Sequence, residues 1–387
     1  MATILSLHGK GLKLDTREDI EPYLRDVDPT KLEEICFGGN TIGVEASQAL
    51  AEFLQKATSL KVADFADIFT GRLITEIPQA LSAICDALID KMSLVEIDLS
   101  DNAFGGRSVD PMVPFLTKNR SFQVLKLNNN GLGPAGGSII ADALRRSAEL
   151  SKEEGKQSNL RTVICGRNRL ENGSAPTWAA AFAAHGNLVE VRMPQNGIRM
   201  EGITALARGL AKNANVEYID LQDNAFAQAG AKAFADALPS WPKLHTLNLS
   251  DCFLSEGGEV PSTLKVLATG SNPLLRTLQL QNNNLEGNTA ALLADVIGTH
   301  LKAVELLEFQ WNEADEDDEG IQTVADSLKA RGGQFILMDE EEEEVKEEGE
   351  IVEEAKAEEA AEPTEEPCEV DQATNALADL LGKVTID

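Results

Sequence analysis

VEYIDLQDNAF, residues 216–226, is one copy of a pattern that recurs through most of the chain. Val216 precedes the alternating apolar residues Ile219 and Leu221, which a short strand would turn to one side. Asn224 follows the strand, and asparagine tolerates tight turns while its amide can pair with backbone groups that lack a partner. The stretch therefore predicts a short buried strand that ends in a turn held by a structural asparagine.

The asparagine of this pattern recurs at a nearly constant spacing. It is found at Asn102, Asn130, Asn168, Asn196, Asn224, Asn284 and Asn312. The steps are 28, 38, 28, 28, 60 and 28 residues, and Cys252 divides the longest step into 28 and 32. A fixed period of this length indicates a solenoid of stacked repeats, which usually works as an extended binding surface.

Each repeat reads L-x-x-L-x-L-x-x-N-x-L and continues into a stretch with helical spacing, which is the leucine-rich repeat pattern. A strand and a full helix in about 28 residues predict an α/β horseshoe with parallel strands on the concave side. The pattern is similar to the ribonuclease-inhibitor subtype. We expect eleven repeats within residues 1–338, a capping strand near 334–338, and a longer helix or loop at the insertion 145–158.

Composition restricts the classes of function. The formal net charge is −30, which argues against nucleic-acid and anionic-membrane binding and favours a basic protein partner. Five widely spaced cysteines without a CxxC pair indicate reduced thiols rather than a disulfide framework or zinc site. No apolar run approaches the ~20 residues that span a bilayer, and the first residues lack the features of a secretory signal. Reduced thiols fit the cytosol or the nucleus, and we expect a monomer because a capped repeat array is usually monomeric.

The C-terminal part has a different composition. Residues 339–371 hold eighteen acidic residues and two lysines, so we expect a disordered acidic tail. Residues 372–387 regain apolar spacing and predict a short amphipathic segment.

No cofactor or metal site is expected. The glycine-rich stretch 131–136 matches GxGxxG, but the same turn recurs in register elsewhere and belongs to the repeat. The acidic stretch 315–326 departs from a calcium loop at its fifth and twelfth positions.

The first departure from the repeat is a longer connection at 67–72, where Ile68 replaces the asparagine. Binding is the commonest reason for a break in a regular repeat. Arg72 could project from this loop and contact phosphate or carboxylate through its planar fork. Alternatively, it could form a structural ion pair with Asp67 or Asp98.

Two further departures lie in repeats five and six. Asn128, Asn129 and Asn130 stand where the repeat needs one asparagine, and Arg167 and Arg169 flank the structural Asn168. Because Asn129 precedes the structural Asn130, we expect it at the exposed rim. The three departures belong to repeats three, five and six and should lie along one rim.

Five motifs carry a resemblance to a known family: DIFTGR (67–72), LSDNAF (99–104), NNGLGP (129–134), CGRNRLENGS (165–174) and QNGI (195–198). In this order and spacing the chain closely resembles the Ran GTPase-activating proteins, in their short yeast-type form. DIFTGR and CGRNRLENGS are specific to that family, whereas the structural asparagines would fit any leucine-rich repeat protein. One departure is Ile74, where the family often has a basic residue.

The resemblance implies a cytoplasmic GTPase activator that acts on Ran loaded with GTP and supports nucleocytoplasmic transport, with a Ran-binding protein as a candidate third component. GTP, magnesium and the catalytic glutamine belong to Ran, so the chain itself is not expected to be an enzyme. The family's rim asparagine, which matches Asn129, orders that glutamine. The loop arginine, which matches Arg72, serves the interface and is not a trans arginine finger.

The same matching implies further Ran-binding residues at Asp67, Thr70, Gly71, Asp101, Asn128, Asn130, Arg167 and Arg169. The alternative is an acidic leucine-rich-repeat histone chaperone or phosphatase-inhibitor-like protein, whose function would depend on the acidic tail. A ribonuclease inhibitor is disfavoured by the scarcity of cysteine and aromatic residues.

Overall fold

A computed structural model describes residues 3–338 of the chain. Residues Met1–Leu337 form one compact unit. The predicted acidic tail 339–371 and amphipathic segment 372–387 lie outside the described residues.

Short parallel strands alternate with helices along the described residues. The strands are β1 (Thr3–Ser6), β2 (Lys13–Leu14), β3 (Leu32–Cys36), β4 (Thr41–Ile42), β5 (Val62–Asp64), β6 (Glu96–Asp98), β7 (Val124–Lys126), β8 (Thr162–Ile164), β9 (Glu190–Arg192), β10 (Tyr218–Asp220), β11 (Thr246–Asn248), β12 (Thr277–Gln279), β13 (Leu306–Glu308) and β14 (Gln334–Ile336). Twelve of them form one sheet in chain order, while β2 and β4 pair separately.

The helices lie between the strands in sequence. They are α1 (Arg17–Leu24), α2 (Val44–Lys56), α3 (Ile77–Leu88), α4 (Val113–Lys118), α5 (Gly133–Glu153), α6 (Glu171–His185), α7 (Met200–Leu210), α8 (Ala227–Ala237), α9 (Ser262–Leu267), α10 (Gly287–Val296) and α11 (Glu319–Lys329). None of them is long and apolar enough to cross a membrane. The insertion at 145–158 lengthens α5 to 21 residues, which confirms the longer helix.

The register of the sheet explains why the repeats stack. Each strand from β5 to β13 buries its central residue, and Ile97, Leu125 and Val163 are paired neighbours in this row. Burial of such a row removes a continuous apolar stripe from water, so each repeat stabilises the next. The α/β leucine-rich repeat solenoid is therefore confirmed, with eleven repeats followed by β14 as an added strand.

A row of buried asparagines joins neighbouring repeats, and we call it the asparagine ladder. The Asn130 Nδ2 atom donates to the carbonyl oxygens of Leu99, at 2.9 Å, and Leu127, at 3.1 Å. Its Oδ1 atom accepts from the Asn102 backbone N–H at 2.8 Å. Asn168 repeats the arrangement one repeat later. Each amide thus satisfies backbone groups of two repeats that would otherwise be buried without a partner.

Ladder positions in repeats three and nine hold other residues. Ile68 is buried, and its backbone N–H donates to Asn102 Oδ1 at 2.8 Å. Cys252 donates from its backbone N–H to Asn283 Oδ1 at 3.0 Å, and its thiol lies 3.3 Å from the Leu221 carbonyl oxygen. Both placements agree with the repeat register.

One assignment in the ladder is wrong: the residue is Asn283 and not Asn284. Asn283 is fully buried and donates to the carbonyl oxygens of Leu249 and Leu280. Asn284 is half-buried and has a left-handed backbone with φ of 54°. The longer connection in repeat nine shifts the spacing, and the apolar Leu285 two places later identifies the true ladder residue.

His185 is a buried ionisable group at the end of α6. Its Nδ1 atom lies 2.6 Å from the Ser158 hydroxyl oxygen, while Nε2 has no hydrogen-bond partner among the described residues. Burial lowers the pKa of the imidazole to about 4 from an ordinary value of 6.5. The folded repeat therefore holds His185 neutral.

Replacement of the two neighbouring asparagines by aspartate should separate their roles. Asn283→Asp replaces three N–H donor contacts with a buried carboxylate facing carbonyl oxygens, so we expect a loss of about 3 kcal/mol or more in unfolding free energy. Asn284→Asp is the matched control and should change it by about 0.5 kcal/mol or less. Urea unfolding followed by circular dichroism measures both, and equal losses would contradict the Asn283 ladder assignment.

The unfolding free energy should depend on pH through His185. The unfolded chain binds a proton near pH 6.5, whereas the folded protein resists it down to about pH 4, so stability is complete above 6.5 and declines as the pH falls. The loss of unfolding free energy caused by His185 reaches about 3 kcal/mol at the acid end of this window, near pH 4. We expect the unfolding free energy from urea titrations to change less with pH, between pH 5 and 7, in His185→Asn than in the wild type. The same dependence on pH in both proteins would exclude this account.

Candidate protein-binding site

A row of surface residues immediately precedes the ladder, and we call it the rim row. Its non-glycine members are Asp67, Asp101, Asn129, Arg167, Gln195, Asp223, Asp251, Asn282 and Trp311. Their φ angles lie between 48° and 61°, a left-handed conformation that asparagine and aspartate adopt more readily than most residues. The Asn129 backbone N–H donates to the Gly166 carbonyl oxygen at 2.9 Å, so the turn of one repeat is fixed by the next.

Asn129 is exposed and held in one orientation. Its Nδ2 atom donates to Asp101 Oδ1 at 2.9 Å, between neighbouring members of the rim row. A carboxylate only accepts hydrogen bonds, so it selects the amide orientation in which Nδ2 faces Asp101. The Oδ1 atom of Asn129 has no partner among the described residues and is available to a donor from another molecule.

Two exposed arginines lie beside this amide. Arg167 is the rim-row neighbour of Asn129, about 5 Å away by the usual spacing of strands, and Arg169 follows two places later. Neither guanidinium forms an ion pair within residues 3–338, and both backbones are left-handed. They provide positive charge and planar donors on the surface of a chain whose net charge is −30.

The other two asparagines of the run have structural roles. Asn128 is half-buried, and its Oδ1 atom accepts from the Gly166 backbone N–H at 2.6 Å. Asn130 is fully buried in the ladder. The prediction that Asn130 binds a partner is therefore wrong, because its side chain cannot reach one without breaking the ladder.

The connection after Ile68 projects from repeat three, and we call residues 69–76 the repeat-three loop. Thr70 and Gly71 are exposed, and the Thr70 hydroxyl donates to Asp67 Oδ1 at 2.5 Å. Leu73 and Ile74 follow, with 65% and 59% of their surfaces exposed. Asp67 belongs to the rim row, so this loop and Asn129 lie on the same rim, two repeats apart.

Arg72 does not project from this loop, which decides between the two alternatives that the sequence left open. Its side chain is 9% exposed and turns back to pair with Asp15 at 2.5 Å. Its Nε and Nη2 atoms donate to the Thr41 hydroxyl, at 2.8 Å, and the Thr41 carbonyl oxygen, at 2.9 Å. The alternative of a structural ion pair is the correct kind of contact, but neither Asp67 nor Asp98 is the partner.

Sequence reasoning missed Asp15 and Thr41, because no motif marks them. Asp15 lies 57 positions before Arg72 and directly follows the short strand β2, whose pairing with β4 brings Asp15 and Thr41 to the repeat-three loop. The Arg72 guanidinium lowers the pKa of the Asp15 carboxyl, with Lys13 as a smaller cause.

The thiols of Cys36, in β3, and Cys165, just after β8, are not activated for nucleophilic chemistry. Burial raises the pKa of the Cys165 thiol to about 12, and that of Cys36 to about 12, so neither is a ready thiolate nucleophile. Within residues 3–338 no cluster of histidine, cysteine and carboxylate side chains could hold a metal ion. The rim instead offers an oriented amide, two free arginines and an apolar loop tip.

Comparison with known proteins agrees with the repeat architecture. A profile described as "Leucine Rich repeat" matches residues 118–141 and 212–235. The chain is also 24% identical over 254 residues to a ribonuclease inhibitor from Sus scrofa, covering 65% of this chain and 53% of that protein.

Two relatives are considerably more similar. Ran GTPase-activating protein 1 of Saccharomyces cerevisiae is 37% identical over 328 residues, which cover 82% of this chain and 80% of the yeast protein. Ran GTPase-activating protein 1 of Xenopus laevis is 47% identical over 198 residues, which cover 50% of this chain and 34% of the frog protein.

Proposed function

The chain belongs to the family of Ran GTPase-activating proteins, and on that premise we propose that it binds GTP-loaded Ran and accelerates GTP hydrolysis. In this proposal Asn129 positions the catalytic glutamine of Ran, and no arginine finger is supplied in trans. Nucleotide and magnesium are brought by Ran, so the chain needs no cofactor of its own.

The observation that carries the mechanism is the fixed amide of Asn129. A GTPase glutamine must orient the attacking water, and in solution its side chain samples many rotamers. The free Oδ1 atom of Asn129 can accept a hydrogen bond from the amide nitrogen of that glutamine. Since Asp101 and the ladder already fix Asn129, little conformational entropy is lost when the contact forms.

Arg167 and Arg169 support docking beside that amide. Unpaired exposed guanidinium groups can bind carboxylates on a partner through two parallel hydrogen bonds. The acidic remainder of the chain would favour encounter with basic parts of Ran. The two arginines thus place positive charge at the proposed interface, although the net charge of the chain is negative.

The position of Arg72 supports a mechanism without an arginine finger. An arginine finger must reach the transferred phosphate, whereas Arg72 holds Asp15 and Thr41 in its own chain. Release would leave the Asp15 carboxylate and the Thr41 carbonyl oxygen without these donors.

Several wider parts of the proposal rest on family membership. They are cytoplasmic localisation, a role in nucleocytoplasmic transport, and a Ran-binding protein as a candidate third component. The proposed monomeric state rests instead on the capped repeat array. Fluorescence imaging of the tagged full chain tests the cytoplasmic localisation. Light scattering of the purified chain, alone and with Ran, tests whether it is a monomer.

Asn129→Ala should abolish most of the activation. We expect single-turnover GTP hydrolysis on purified Ran·GTP to slow by about 10²–10³-fold in the maximal rate, because one positioning hydrogen bond is lost. Asn282→Ala is the matched control, since Asn282 occupies the same row five repeats later and donates to Asp251 at 2.7 Å. The control should retain wild-type rates.

The outcomes of that assay are distinct. If Ran hydrolyses GTP as fast with Asn129→Ala as with the control Asn282→Ala, Asn129 has no part in the mechanism. If the wild type leaves the intrinsic rate of Ran unchanged, the activator proposal fails. Histone binding with and without residues 339–387 then tests the alternative of an acidic chaperone.

Arg167→Ala should weaken the binding of Ran more than it slows GTP hydrolysis in the bound complex. We expect the half-saturating concentration to rise about tenfold, equivalent to about 1.4 kcal/mol, with the maximal rate within about threefold of wild type. Arg208→Ala, at an exposed position of α7, removes the same charge as a control and should have no effect. An unchanged half-saturating concentration for Arg167→Ala would exclude it from the interface.

A further inference from the structure

The tip of the repeat-three loop exposes two aliphatic side chains side by side. Leu73 is 65% exposed and Ile74 59%, next to Thr75, which is also exposed. Burying such side chains in an interface removes apolar area from water and is favourable. Exposed apolar residues are common singly, but an adjacent pair on a projecting loop of a proposed binding rim indicates a contact.

A network of hydrogen bonds at the base of the loop fixes this tip, and we call it the Arg72 latch. Arg72 donates to the Asp15 carboxylate and to both oxygens of Thr41, and its Nη2 atom lies 3.3 Å from the Leu14 carbonyl oxygen. These acceptors belong to the first two repeats, at the ends of β2 and β4. The guanidinium therefore ties repeats one and two to the loop of repeat three.

Gly43 makes room for the latch. A Cβ atom at this position would lie 2.8 Å from the Asp15 carbonyl oxygen and 3.1 Å from Arg72 Nη1. The first contact involves backbone and could not be relieved by a side-chain rotation. Three chain segments thus fit closely around one guanidinium.

We propose that the Leu73–Ile74 tip docks on an apolar patch of GTP-bound Ran, and that Arg72 and Asp15 are positioning residues that hold the tip for this contact. The proposal rests on the proposed function. It differs from the family expectation, because the contact from this loop is apolar and Arg72 acts through its own chain. Ile74 then replaces a charged contact with an apolar one.

The location of the tip supports Ran as the occupant. Asp67 begins the connection that carries the tip and stands two rim-row positions from Asn129, about 10 Å by strand spacing. A globular GTPase seated over Asn129 would cover that distance, since stable interfaces bury about 800 Å² on each partner. The tip is therefore continuous with the surface on which Ran is proposed to bind.

A double-mutant cycle on GTP hydrolysis by Ran tests the latch. Asp15→Ala should raise the half-saturating Ran·GTP concentration about as much as Arg72→Ala, roughly tenfold, and the double variant should be no worse than either alone. Maximal rates should stay within about threefold of wild type, since Asn129 is untouched. A near-normal Asp15→Ala with a severely impaired Arg72→Ala would overturn the latch and indicate that Arg72 contacts Ran directly.

The tip itself is tested with Leu73→Ser and Ile74→Ser, each expected to raise the half-saturating concentration about tenfold. Met92→Ser is the control, because Met92 is 75% exposed in a turn before β6, away from the rim. If the wild type and Asn129→Ala behave as proposed while both tip variants match Met92→Ser, only the tip is overturned. An inactive wild type would overturn the proposed function and the tip with it.

A structural readout separates the latch from general loss of folding. Hydrogen exchange of the free full chain should speed up about tenfold or more in residues 69–76 of Asp15→Ala, with the ladder repeats unchanged. Gly43→Ala should give the same local effect through crowding. Unchanged exchange in both variants would show that the latch does not hold the loop.

Discussion

The hydrogen bonds between ladder asparagines and the backbone are the interaction on which the rest of this structure depends. Each repeat must turn sharply after a three-residue strand, and the turn leaves backbone groups facing the interior. One buried amide satisfies groups from two repeats at once, as Asn130 does for Leu99, Leu127 and Asn102. Wherever the ladder residue is asparagine, the same contact therefore fixes both the stacking of repeats and the shape of the turn.

This constraint also creates the rim row, the surface on which we propose that Ran binds. Because the ladder residue points inward, the residue before it must adopt a left-handed backbone and faces the rim. Asparagine and aspartate fit that conformation well, so the repeat produces a row of small polar side chains without any functional requirement. The proposed function needs only a few changes in that row: an asparagine oriented by a carboxylate at Asn129, an arginine at Arg167, and a longer connection after Asp67.

The sequence predicts the periodic features well and the contacts between distant segments poorly. The three-asparagine run locates Asn129 because the ladder period shows which asparagine is structural. The period fails at Asn283, where an irregular connection in repeat nine moves the register and only the apolar Leu285 reveals it. Asp15 was out of reach for a different reason, since the fold brings it to Arg72 from two repeats away and no motif marks such a contact.

The central claim is that an amide on the rim, and no arginine, completes the catalytic centre of Ran. A structure of the full chain bound to Ran with GDP and aluminium fluoride, which mimics the transferred phosphoryl group, tests it most directly. The account predicts Asn129 Oδ1 within about 3 Å of the amide nitrogen of the catalytic glutamine, with Arg72 still paired to Asp15. A guanidinium of Arg72 on the fluoride, with Asn129 apart from the glutamine, would contradict it.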